Sequence, residues 1–197
     1  MNTNGDEPSV DSTFTLTNHN HETSMPPNNS TPDYGAVDNA QILNRYPWMS
    51  EQGTHIVTFE SWTGRKTFKH GFADFLELRV VKTLVGDASA VGSRRTRMRP
   101  WDQHGALDEV RTRAYTAMSA VAKANGGSAP SQAEINGSVL QGIHASAGDM
   151  FVGYPIKIEV ANIKTRGGND FTTIAWSLPT ATDLEGVTLD QTGRVVS

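Results

Sequence analysis

From Thr15 to Pro32 the chain runs through Asn, Thr, Ser, His and Pro with almost no apolar side chain. Such a stretch cannot bury enough surface to offset the entropy of ordering it. Any fold must therefore be assembled from residues C-terminal to it, and Ile42-Leu43, ahead of Tyr46-Pro47-Trp48, marks where apolar content returns. Residues 1–44 are read as a disordered arm, 45–185 as one core domain, and 186–197 as a C-terminal tail. The arm also explains the low averages of 19% charged and 37% apolar residues over 197 positions. No apolar run approaches the roughly 18 residues of a membrane-spanning helix, so no membrane partner is expected. The opening residues have neither a basic nor an apolar leader, which sets an expectation against Sec-type export. With no cysteine, disulfides, thiolate catalysis and cysteine-based metal sites are excluded.

Within the core, His55–Trp62 is rich in β-branched and aromatic residues and reads as a strand, followed by a turn at Thr63-Gly64-Arg65-Lys66. Phe68–Val85 carries two signals. Leu76 to Val80 alternates like a strand, yet the span is long, holds Phe72, Phe75 and Leu76, and ends at Gly86-Asp87; it is read as a helix. A clearer helix runs from about Gln103 to Lys123, with Asp102 as N-cap and Asn125-Gly126-Gly127 as its stop. Its apolar stripe is Leu107, Val110, Ala114, Met118 and Val121. A second helix at Ser131–Ala147 opens on the capping-box pattern Ser131 to Glu134. Tyr154–Thr165 and Phe171–Leu178 then form a hairpin across a turn at Arg166–Asp170. A short strand at Val187-Thr188-Leu189 precedes the tail. The sum is an α+β class, central helices flanked by short antiparallel strands.

The net charge of −4 conceals a separation. Residues 1–60 carry −7, residues 61–123 carry +6, and residues 124–197 carry −3. The basic middle peaks at Arg94, Arg95, Arg97 and Arg99, four arginines in six residues, with Trp101 two places on. Arg65, Lys66 and Lys69 form a smaller cluster upstream. A guanidinium is a planar fork that pairs with two phosphate oxygens, and an indole offers a face on which an unpaired base can stack. The segment is therefore read as a loop that contacts single-stranded nucleic acid, one whose replacement by glutamine would leave the fold intact. The competing reading is a solvated linker, or ion pairs to the acidic thirds. Arg111 falls inside the predicted apolar stripe, where a buried cation needs an anionic partner. That partner is a core carboxylate or an RNA phosphate.

Catalytic signatures are missing from the sequence. It holds no phosphate-binding glycine loop, no H-E-x-x-H, no G-x-S-x-G and no calcium loop. His19-Asn20-His21-Glu22 lies in the arm, where no rigid metal site is expected. His55, His70, His104 and His144 are scattered without a neighbouring nucleophile. No enzyme, no cofactor and no metal is expected. The sequons at Asn28, Asn29 and Asn136 are read as chance, and Trp48, Trp62 and Trp176 as core or interface anchors.

In layout the chain resembles the coat or nucleocapsid proteins of small RNA viruses. The features that carry this are its small size, the polar arm Met1–Asn44, the lack of cysteine, the arginine-rich Arg94–Arg99, and a composition rich in Thr, Ser, Ala, Gly and Asn. Icosahedral coats usually have a basic arm, whereas this one is acidic; the plan is closer to rod-shaped or filamentous coats. The resemblance implies a self-assembling structural protein that packages single-stranded RNA in a virion or the host cytoplasm. Four Trp and seven Phe beside glycine-containing helices fit a homo-oligomer or filament whose stability is shared between subunits. The alternative is a non-catalytic viral or phage accessory protein that binds nucleic acid or a protein partner.

Overall fold

A computed structural model describes residues 47–67, 69, 71–164, 168 and 170–196; the expected arm over 1–44 lies outside them. Gly53–Thr67 and Gly71–Gly86 form two long antiparallel strands, β1 and β2. The helix expected over Phe68–Val85 is thus corrected to a strand. Leu76, Leu78 and Val80 are buried while Glu77 and Arg79 between them are only half-buried, so the two-residue alternation decided the outcome. The turn expected at Thr63–Lys66 is also corrected: β1 continues through it and Thr67 pairs with Gly71. Gly71 sits at φ +66°, the left-handed conformation that closes such a turn at little cost only for glycine.

Arg94–Pro100, expected as a loop, is strand β3, paired along Ala73–Arg79 of β2. The chain next forms helix α1, Ala106–Ala124. It starts at Gly105 rather than at Asp102, and it stops at Asn125 and the left-handed Gly126 as expected. The second predicted helix divides. Gln132–Glu134 is a single 3₁₀ turn, and α2 covers Gly137–Ala145. The break comes because Asn136 caps a new start, its Oδ1 accepting from the N–H groups of Ser138 and Val139 at 3.1 Å. Strands β4, Pro155–Lys164, and β5, Asp170–Ser177, form the expected hairpin in unbroken register. Most of the turn between them lies outside the described residues.

The five strands make one sheet in the order β3-β2-β1-β4-β5. The expectation of central helices flanked by short strands is therefore overturned: the sheet is the centre, and the helices pack on one of its faces. That face carries Val57, Phe59, Trp62, Leu76, Leu78, Ile156, Ile158, Ile174 and Trp176. Phe59 stacks on Trp62 and Trp176 with ring centroids 5.6 and 6.0 Å apart. Against these large rings α1 presents small residues, Ala106, Ala114, Ala117 and Ala120, which let the helix approach closely. The predicted stripe is rotated accordingly, and Leu107 is 51% exposed.

Although β3 and β5 are opposite edges, an Arg97 Nη1–H donates to the Thr172 carbonyl at 3.2 Å. The long Arg97 side chain thus bridges the two edge strands, and the seam is the gap that it spans. Residues 47–49 lie along the outer side of β3, with Met49 N donating to Thr96 O and Thr96 N to Pro47 O at 3.0 and 2.9 Å. The expected tail is packed: Leu189 bridges to Val195, the Val195 N–H donates to Gly153 O at 2.8 Å, and Arg194 lies over the Tyr154 ring.

Candidate nucleic-acid interface

Because β3 is a strand, its arginines alternate between two faces. Arg95, Arg97 and Arg99 pair in register with Leu78, Leu76 and Asp74 and turn inward with them toward α1. Each meets a carboxylate. Arg95 Nε donates to Glu51 at 2.7 Å, Arg99 Nε lies 2.8 Å from Glu109, and Arg97 Nη2 lies 3.4 Å from the same Glu109. Arg99 also donates to Gln103 Oε1 and to the His104 carbonyl at 2.7 and 3.0 Å. Burial pushes the Arg97 guanidinium below its ordinary pKa; Glu109 opposes the change and Arg99 adds to it. Arg94 faces the other way, half-exposed, 3.0 Å from Glu60. The expectation of a free basic loop is corrected: three of the four side chains are buried in internal ion pairs.

Trp101 also turns inward, donating to Asp74 Oδ1 at 2.9 Å with its ring edge-on to Phe72. Arg111 is exposed and donates to the Gln132 carbonyl at 3.0 Å. The interior arginine of α1 is Arg113, fully buried, paired to Asp74 and set 4.5 Å over Trp62. Burial pushes its pKa down to about 10, against the pull of Asp74.

Two surfaces remain. The first is the tip of the β1–β2 hairpin, where Arg65, Lys66 and Lys69 are all exposed. It reaches past β3, which pairs with β2 only from Ala73 onward. The Arg65 guanidinium rests 4.6 Å over the Phe75 ring, and among the described residues no carboxylate pairs with any of the three. The second is a groove of about 240 Å³ at the seam, lined by Trp48, Arg97, Met98, Arg99, Gln103 and Phe171 among others. Trp48 is 56% exposed, so of its two expected roles, core or interface anchor, the core one is corrected: the ring is open at the groove's edge.

No protein-family model matches the chain, and no curated protein matches it.

The predicted set thus separates. Arg65, Lys66 and Lys69 are exposed on one hairpin tip and Arg111 is exposed on α1, whereas Arg95, Arg97, Arg99 and Trp101 turn inward into ion pairs and hydrogen bonds. Trp48, Gln103 and Phe171 were missed as surface groups. Trp48 had a legible signal, since it comes directly after a proline at the point where apolar content returns, but nothing in its spacing told surface from core.

Proposed function

We propose that this chain is a structural protein that packages single-stranded RNA as many copies, and that its accessible phosphate contact is the β1–β2 hairpin tip. The observation that carries this is the contrast between cations. Those of β3 are engaged in internal ion pairs, while Arg65, Lys66 and Lys69 are exposed on one hairpin tip without an acidic partner among the described residues. Like charges gathered on a narrow two-stranded tip repel one another even from its opposite faces, and phosphate relieves that repulsion. Three phosphate contacts give a salt slope of only about −2 for a single strand. Affinity per subunit is then weak, and packaging rests on many linked copies.

The test replaces all three with glutamine and measures binding to single-stranded RNA across a salt series. The slope should fall by about 2 with the melting temperature unchanged, since no core contact is lost. An unchanged slope would remove the tip from the interface. Electron microscopy of the protein with RNA decides the assembly half of the proposal. Regular particles or filaments support it, and a protein that binds RNA as a monomer is instead an accessory binding factor.

A further inference from the structure

We infer that the seam groove between β3 and β5 takes a single unstacked nucleobase against the Trp48 ring, with its phosphate drawn to Arg99. The inference rests on the RNA-packaging reading and names the part of the strand that this second surface recognises. Trp48 is held outward by the backbone: its neighbours Pro47 and Met49 are both bonded to Thr96, and Met49 is buried at 2%. In an extended segment the side chain between must then face away. The indole is therefore presented to solvent at the groove's edge. Phe171 lies beside the same groove, with Arg99 5.5 Å over its ring. Aromatic faces beside a guanidinium are the chemistry that holds unpaired bases.

The charge in the seam is unbalanced. Arg97 and Arg99 share the single carboxylate of Glu109, and the buried Arg97 Nε donates to nothing among the described residues. One positive charge is left over beside the groove. Arg99 Nη1 is held on this side by Gln103 Oε1, the neutral oxygen of an exposed side chain. A phosphate oxygen displaces such a partner because a charged acceptor makes the stronger bond. The volume of about 240 Å³ is below the roughly 300–1,000 Å³ usual for drug-sized ligands, which suits one base with its phosphate.

Of the four tryptophans, only Trp48 is more than half exposed; Trp62 and Trp176 are buried and Trp101 partly so. The difference in tryptophan fluorescence between the native chain and Trp48→Ala therefore reports on the groove. Titration with adenosine or uridine monophosphate should quench the native chain's fluorescence saturably, and Trp48→Ala should abolish the quenching with the fold intact. Phe171→Leu should weaken the nucleotide roughly tenfold, within the range measured for base stacking. Three results would overturn the inference: no quenching by either nucleotide, quenching that survives Trp48→Ala, or an equal effect from inorganic phosphate alone. The triple glutamine variant of the hairpin tip separates this inference from the reading beneath it. It should keep the nucleotide response while losing salt-dependent affinity for long RNA. Loss of the nucleotide response in that variant, with its fold retained, counts against an independent groove.

Discussion

Asp74 gathers four partners among the described residues. Fully buried, it accepts from Trp62 and Trp101 at 3.1 and 2.9 Å, pairs with Arg113, and faces His144 Nε2 at 3.1 Å. Burial by itself raises its pKa, but His144, Arg113 and Trp101 together outweigh that and hold it below the ordinary value. Its carboxylate ties β2 to α1, α2 and the turn after β3. Asp74→Asn leaves Arg113 buried with its charge uncompensated, and should cost about 3–5 kcal/mol in urea unfolding. Adding Arg113→Met should return part of that loss, since no orphaned cation remains. The lowered pKa sets the pH dependence. The contribution is fully present above the unfolded value of about 3.9 and is lost as pH falls through the lower folded value. Urea midpoints should therefore stay level for this group from neutral pH to about 4 and drop below it, and drop less in the double variant. The sequence pointed to a buried helix arginine in need of a core carboxylate, but not to which arginine or which acid. Arg113 and Arg111 are two positions apart on one helix, and which of them faces inward depended on a stripe of alanines that counted less than Leu107 and Met118.

At the scale of the element, β3 explains both what sequence showed and what it hid. Hydrophobic periodicity finds a strand by its apolar inward positions, and here those positions are Arg95, Arg97 and Arg99 while Met98 faces out. A pattern with its polarity inverted reads as a linker. The β4–β5 hairpin was legible because Ile156, Ile158 and Val160 are buried in strict alternation, and β2 was misread because its length outweighed the alternation at Leu76 to Val80. The consequence can be measured. Changing Arg97 and Arg99 together to glutamine strands Glu109, whose side chain is 13% exposed, and should cost about 3–5 kcal/mol. Arg94→Gln, at a side chain 38% exposed, should cost less than about 1 kcal/mol. A thermal melt in which the four arginines proved interchangeable would contradict the inward register of β3.

Across the folded unit, the C-terminal segment is fastened to the strands by few but definite contacts. Lys82 Nζ donates to the carbonyls of Asp183 and Glu185 at 3.0 and 2.6 Å, and Lys157 to Asp183 Oδ2 at 2.9 Å. The Thr180 N–H and the Lys157 ammonium together push the Asp183 carboxyl down to about 2. The Thr180 amide resonance should thus titrate near pH 2, well below the usual range for Asp, and Lys157→Met should raise that midpoint. A larger consequence lies in the strand order. β1, β2 and β3 are consecutive neighbours, but β1 also pairs with β4, placing Gly53 opposite Val160. The three-stranded meander can form from local encounters; the other half of the sheet has to close a loop of about a hundred residues before its pairing returns anything. Folding should then be slow for the chain's size, with amides of β1–β3 protected before those of β4 and β5 in pulse-labelled hydrogen exchange. During synthesis the inner edge of β1 stays open until β4 has emerged, a window in which a neighbouring chain can pair there instead.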